Sequence, residues 1–393
     1  MKVRDCFDLN PSGNTNKFTD YINYIDTSSV NAGTLDGVEY LESDFPSRAQ
    51  RLIKQGDILY SSVRPNLRHY YLYRDNFEHA VASTGFVLLR NKSDYNTEFA
   101  FYYLTTNEIV YHLSNIAELS QATFPSFSPD DLGAIDLPDF DTVEQKKIVS
   151  ILSAYDNLIE INNKRIKVLE LMAENLYKEW FIRFRFPGHE SVEFENGIPK
   201  WWIRYCISEC YITSSGGTPS RDNNENYNSG TIPWIKTGEL QDCLLLDTEE
   251  KITEAAINSS SAKIFPKDSV LMAMYGVNIG RLAYSTMDAT CNQACCVFRD
   301  KRNVNTKHYL FQFLKSIRDY LLIIGFGAAQ QNLSQDLIKR IKIIMPDKET
   351  LIRFEQKIDL MYDEMKLLLK ANVQLIRQRD MLLPRLMSGK LEV

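Results

Sequence analysis

The chain has 393 residues, 44% of them apolar and 24% charged, the composition of an ordinary globular protein with room for two or three domains. Its 45 Lys and Arg against 51 Asp and Glu give a formal charge of −6, which argues against a uniformly phosphate-binding surface. The longest apolar runs, residues 270–275 and 320–324, fall far short of the ~20 residues that span a bilayer, and Met1-Lys2-Val3-Arg4-Asp5-Cys6 has no signal-peptide pattern, so a cytoplasmic location is expected.

Residues 1–142 form a first block of mixed strand and helix pattern, with 11 basic and 20 acidic side chains. Residues 45–74 reverse that sign: Arg48, Arg51, Lys54, Arg64, Arg68 and Arg74 stand against Asp57 alone, net +5. Tyr60, Asn66, His69, Tyr70 and Tyr71 are interleaved with them. Arginine suits bidentate contact with guanine and asparagine with adenine. Arg48, Arg51, Arg64, Asn66 and Arg68 are therefore candidate DNA contacts. The plain alternative is a solvated face whose arginines pair with the block's own acids.

Residues 143–186 read as a long helix stopped by Arg185-Phe186-Pro187-Gly188-His189. Ile148, Leu152, Tyr155, Ile159, Asn162, Ile166, Leu169, Ala173, Leu176 and Trp180 alternate steps of four and three, the spacing of a coiled-coil seam. A second mixed block follows at 187–346. In it Ser214-Ser215-Gly216-Gly217-Thr218-Pro219-Ser220-Arg221 reads as a tight loop before a Trp234 strand. Its amides are a candidate phosphate cradle with Lys236, Asn278 and Arg281 nearby; the alternative is a simple turn. Thr218, Arg221, Lys236, Tyr275, Asn278 and Arg281 are the candidate contacts of this block. Ile324-Gly325-Phe326-Gly327-Ala328-Ala329 reads as a loop, lacking the third glycine and the acidic residue of a dinucleotide site. Residues 347–393 carry a second seam, Leu351, Phe354, Ile358, Met361, Met365, Leu368, Asn372, Leu375, Arg379, Leu382 and Leu386, with Arg379 placed to snorkel.

The two seams register against each other. Placing Asn162 opposite Asn372 in an antiparallel pair sets Ile148 against Leu386, Ile159 against Leu375, Leu169 against Met365 and Trp180 against Phe354. A parallel pair would set a d position against an a position. A lone polar residue in such a seam fixes register, so an antiparallel coiled coil about 50 Å long is expected. The alternative is two amphipathic helices packed separately on their own domains. The fold class is thus α+β: two α/β domains alternating with two long helices that pair. Weak internal similarity at a period of about 210 supports a duplication, with Gly56-Asp57-Ile58-Leu59 answering Lys267-Asp268-Ser269-Val270-Leu271, and Val143-Glu144-Gln145 answering Phe354-Glu355-Gln356.

No phosphate loop, HExxH helix, GxSxG elbow or GxGxxG unit is present. Asn10-Pro11-Ser12-Gly13 lacks the Pro-aromatic pair that would stack on a flipped base. Seven cysteines without a CxxC pair and five scattered histidines predict free thiols and no metal site. Neither catalysis nor a bound cofactor is expected of this chain by itself.

At these residues the chain resembles the specificity subunits of type I restriction-modification systems. The likeness runs through Pro46-Ser47-Arg48-Ala49-Gln50-Arg51, Gly56 to Asn66, and Ser83-Thr84-Gly85-Phe86 in the first block. It continues in Gly216-Gly217-Thr218-Pro219-Ser220, Ile232-Pro233-Trp234-Ile235, Met274-Tyr275-Gly276, Asn292-Gln293-Ala294 and Gln331-Asn332-Leu333-Ser334. Glu144-Gln145 and Asn175-Leu176-Tyr177 resemble the family's conserved helical region, from which the second helix departs more. The resemblance implies two target recognition domains, at 1–142 and 187–346, each reading half of a bipartite, asymmetric DNA target. It implies conserved helical regions at 143–186 and 347–393 that set the spacer and dock two modification subunits. S-adenosylmethionine, and ATP with magnesium, would belong to modification and restriction subunits. The competing expectation is a coiled-coil scaffold that binds no DNA.

Overall fold

The computed structural model describes residues 1–13, 18, 20–120, 124–301, 305–326 and 332–393. The chain divides into two compact units, Met1–Ile159 with Gln374–Val393, and Glu160–Val373. Gly327, Ala328, Ala329 and Gln331, which belong to two of the motifs above, lie outside the described residues. Ile324-Gly325-Phe326 is not a loop: it closes a helix, Arg318–Phe326. Among the described residues no helix is long and apolar enough to cross a membrane.

In the first unit, besides a short hairpin of Val30–Asn31 with Thr34–Leu35, the strands are β1 (Phe7–Leu9), β2 (Ile22–Ile25), β3 (Glu39–Leu41), β4 (Ala49–Leu52), β5 (Ile58–Ser61), β6 (Tyr70–Leu72), β7 (Ala80–Ser83) and β8 (Phe86–Asn91), followed by helix α1 (Thr97–Leu104). One antiparallel sheet has the order β1-β8-β5-β6, and a second has β3-β2-β7-β4 with β2 and β7 parallel. β5 and β7 are buried along their whole length, so they read as continuous apolar runs rather than as alternation. Successive side chains point to opposite faces of the sheet. Ile58, Tyr60, Val87 and Leu89 enter one core with α1. Leu59, Phe86 and Leu88 enter another with Ile25, Ala80 and Ala82.

The second unit repeats this plan with β9 (Tyr211–Ser215), β10 (Ile232–Ile235), β11 (Cys243–Leu245), β12 (Lys251–Ile252), β13 (Val270–Ala273), β14 (Leu282–Ser285), β15 (Thr290–Cys291) and β16 (Cys295–Asp300). Its larger sheet, β9-β16-β13-β14-β11, matches β1-β8-β5-β6 with β11 added in parallel to β14. Its smaller sheet, β12-β10-β15, again carries one parallel pair, β10 with β15. A parallel pair at the same place in both units is far more specific than the few identical residues. The duplication therefore survives in topology.

Two long helices account for the periodic segments: α2, Thr142–Tyr177 with a π turn at Lys178–Ile182, and α4, Lys348–Met387. Aspartates start both. The Asp141 carboxylate accepts the amides of Val143 and Glu144 at 2.7 and 2.8 Å, and Asp347 accepts that of Thr350 at 2.9 Å, satisfying first-turn donors that have no partner inside the helix. Within the second unit the Asn162 amide donates to Asn372 Oδ1 at 2.8 Å, the pairing expected from the two seams. The amide of Asn372 passes on to Asn163 Oδ1 at 2.8 Å, a third asparagine outside the seam. Ile166, Ala173 and Trp180 share a core with Phe354, Ile358, Met365 and Leu368, and half-buried Leu169, Leu176 and Met361 pack on it. The rings of Trp180 and Phe354 lie 5.8 Å apart.

Within the first unit Ile148, Leu152 and Leu386 are buried in one core with Leu382 against it, while Ile159 and Leu375 are half-buried. Arg379 does not snorkel. Its Nη1 lies 2.6 Å from Asp156 Oδ1, and the hydroxyl of Tyr102 donates to Oδ2 of the same carboxylate at 2.5 Å. A half-buried guanidinium needs such a counter-charge.

Candidate nucleic-acid interface

In the first unit β5 and β6 are joined by a single 3-10 turn, Pro65–Leu67, flanked by Arg64 and Arg68 at φ 48° and 58°. Left-handed backbone at two non-glycine residues is uncommon and costs energy, so the surroundings must hold it. The Arg64 amide donates to the Pro125 carbonyl at 2.9 Å and its guanidinium lies 5.3 Å from the Phe124 ring centroid. Arg68 donates to Asn107 Oδ1 at 2.6 Å. Arg64 and Asn66 are exposed. Exposed Arg48 precedes β4; its carbonyl accepts from Thr84, while Ser62 donates to Gly85. Arg48 and the 62–68 segment thus flank one turn.

Arg51 stands apart. It lies in β4 opposite Ala82, half-buried, with Nε buried and unpaired, and burial lowers the proton affinity of its guanidinium. Asp57, the one acid of the basic stretch, is buried and held by Arg90 at 2.7 and 2.9 Å. Of the six cations in residues 45–74 only Arg74 forms an ion pair among the described residues, with Glu98 at 3.1 Å. The alternative in which this face is neutralised by the block's acids does not describe it.

The second unit differs. Arg221 Nη2 lies 2.7 Å from Glu250, and its guanidinium sits over Tyr227 and Trp234. Lys236 Nζ lies 2.7 Å from Glu249 and 3.0 Å from Glu250, so two candidate cations converge on one acid. Arg281 Nη1 lies 2.7 Å from Asp242, which also takes both terminal nitrogens of Arg318. The cations on Asp242 hold its carboxyl below the usual range against the opposing effect of burial. The Thr218 hydroxyl donates to Gln293, and Asn278 Nδ2 to the Thr237 carbonyl at 3.1 Å. Tyr275 is exposed and bridges to Asn332. Arg221 and Lys236 therefore share Glu250, Asn278 is tied to Thr237 beside Lys236, Thr218 pairs with Gln293, and Arg281 belongs to the Asp242 cluster.

The Gly-Gly loop is not a phosphate cradle. A Cβ on Gly216 would lie 1.9 Å from the Cys291 carbonyl oxygen and one on Gly217 2.4 Å from the Ala262 nitrogen. The Gly217 amide already donates to Cys291 at 2.9 Å. These glycines let two backbones cross.

By topology the turn Gly276–Asn278, between β13 and β14, is the counterpart of Pro65–Leu67. At its tip Val277 is 99% exposed, which nothing in an apolar residue type foretells. A second cluster invisible in the sequence joins helix α3 (Lys307–Ser316) to α4: His308 Nε2 lies 2.9 Å from Asp359, and buried Glu355 accepts the amides of Tyr309 and His308 at 2.8 and 3.4 Å. The ligand atoms of His308, Glu355 and Asp359 lie within 4.8 Å of one another. Lys307 Nζ, 3.1 Å from Asp359, already supplies the positive charge there. Five of the seven cysteines are buried: Cys6, Cys210, Cys291, Cys295 and Cys296.

The sequence profile of the family described as type I restriction modification DNA specificity domain matches residues 1–171 and 199–375. The specificity subunit of type I restriction enzyme HindI of Haemophilus influenzae is 25% identical over 97% of each chain. That of MjaIX of Methanocaldococcus jannaschii is 26% identical over 80% of this chain and 73% of the relative. The crystal structure of a type I restriction-modification S subunit from M. genitalium superposes with a TM-score of 0.58 at 16% identity, covering 98% of this chain and 95% of that one, a likeness of fold. With two matched segments spanning most of its length, the chain belongs to the type I restriction modification DNA specificity domain family.

Proposed function

We propose that the chain is the DNA-recognition subunit of a type I restriction-modification complex, with each unit reading one half of a bipartite target. The observation that carries this is the repeated topology: two units present the same turn between equivalent strands, but with different side chains on it. Duplicated scaffolds with unlike tips suit an asymmetric target. In the first unit Arg48, Arg64, Asn66 and Arg68 are the contacts, being exposed or engaged only with neutral partners. Arg51 supports β4 from a half-buried position. In the second unit Tyr275 is exposed, Thr218 and Asn278 are bonded to neutral partners, and Arg221, Lys236 and Arg281 must exchange a carboxylate for a phosphate.

The role includes no chemistry of its own. Two modification subunits would bring S-adenosylmethionine, and restriction subunits ATP and magnesium, to DNA in the cytoplasm. Apolar side chains exposed on both helices of the second unit, Ile161, Val168 and Met172 on α2 and Leu360 and Leu367 on α4, support docking of such partners there. The paired helices set the spacer, because two weak readers gain from being joined only when their separation matches the target.

The test is selection of duplexes from a random library by the chain purified with its modification subunits. A recovered pool sharing two short motifs at a fixed gap is expected. Equal recovery of all duplexes would leave the scaffold reading.

A further inference from the structure

Val277 is the most exposed of the large apolar side chains among the described residues, yet the turn that carries it is firmly held. Ile279 donates to the Gly276 carbonyl at 3.2 Å, Arg281 to Asn278 at 2.8 Å and Gly280 to Ala273 at 2.9 Å, while the Asn278 amide ties the turn to Thr237. Gly276, at φ 75°, takes the left-handed corner that lets the chain double back at this point. A β-branched side chain has little χ1 freedom. Its two methyl groups are thus presented in a fixed place with no interior partner.

The surroundings narrow what those methyls meet. Lys236 is engaged by Glu249 and Glu250, and Arg281 by Asp242, so neither guanidinium nor ammonium is free beside the turn. In the first unit the counterpart turn offers Arg64, Asn66 and Arg68, groups that hydrogen-bond to purine edges. Among the four base pairs only those with thymine show a methyl group in the major groove. We infer that Val277 reads the 5-methyl group of a thymine in the half-site of the second unit, so that a methyl contact adds to the polar contacts of that half-site. This rests on the DNA-recognition role proposed above.

The experiment uses the chain assembled with its modification subunits and duplexes of its mapped target. Thymines of each half-site are replaced one at a time by deoxyuridine, which removes only the methyl group. One replacement in the second unit's half-site is expected to weaken binding about four-fold, the factor for burying one such group. Val277→Ala is expected to weaken binding to the normal duplex by a similar factor and to show no further loss on the deoxyuridine duplex. Independent losses that multiply, no thymine that responds, or loss of modification subunits from Val277→Ala would each overturn the inference. A wild-type complex with no preference among duplexes would instead overturn the recognition role itself.

Discussion

Each long helix sends one buried polar side chain to the start of a shorter helix in its own unit, Gln145 to the Asn96 amide before α1 and Glu355 to the first amides of α3. Helix N-termini leave such donors unsatisfied, so an amide and a carboxylate do the same work. They differ in what burial costs. Burial pushes the Glu355 carboxyl up to about 8 from an ordinary value of 4.5, with Asp359 adding repulsion and Lys307 opposing it. A raised carboxyl contributes stability that is full below its ordinary value and is lost as pH rises toward about 8. The melting temperature is expected to fall by roughly 3 °C or more between about pH 5 and about pH 9, and by less in Glu355→Gln; equal falls would contradict the assignment. At the proposed DNA face, Arg64→Ala and Arg68→Ala are each expected to relax specificity in one half-site only, at about 1–3 kcal/mol, as read from binding to single-base target variants. Uniform weakening would make them phosphate contacts. The basic stretch was legible from spacing and charge. Its freedom was not, because Asp57 is neutralised by Arg90 from another strand; nor was the pairing of Lys236, which Glu249 and Glu250 reach across the second unit's smaller sheet.

The helices were the most legible elements, since a seam in steps of three and four leaves only a few registers and a single asparagine in each selects among them. What escaped was everything added sideways: Asn163 beneath Asn372, Asp156 and Tyr102 around Arg379, and the π turn after Tyr177, which ends the regular α-helix at buried Tyr177. Asn372→Leu alone leaves the Asn162 amide facing an apolar side chain and is expected to cost about 1 kcal/mol in urea unfolding. Asn162→Leu with Asn372→Leu is expected to recover that loss through an apolar pair, and a double variant no more stable than the single one would contradict the pairing. The Gly-Gly loop shows the opposite limit, since a glycine pair in sequence does not say whether it makes room for a ligand or for Cys291 and Ala262.

For the molecule as a whole, the alternation of mixed blocks and helices was legible, and so was the duplication once helix spacing and strand motifs were compared at one period. The division into compact units was not: it falls within both long helices, after Ile159 and after Val373, because each helix end is committed to a different core. The formal charge of −6 is likewise uneven. Residues 1–142 carry −9, and 143–190, 191–346 and 347–393 carry +1 each. With the second unit's candidate cations paired internally, the chain alone is expected to bind DNA weakly, with most phosphate contacts expected from partner subunits. Whether a helix pair spaces two readers is measured by mapping modified adenines in cells that express the chain with its partners. The map is compared with that of a variant carrying seven extra residues between Ile159 and Asn162 and seven between Asn372 and Leu375. A heptad adds about 10 Å of helix. A bipartite target is expected whose two halves are unchanged in the variant while the gap grows by about three base pairs at 3.4 Å each. A contiguous target, or a gap that does not change, would contradict this expectation.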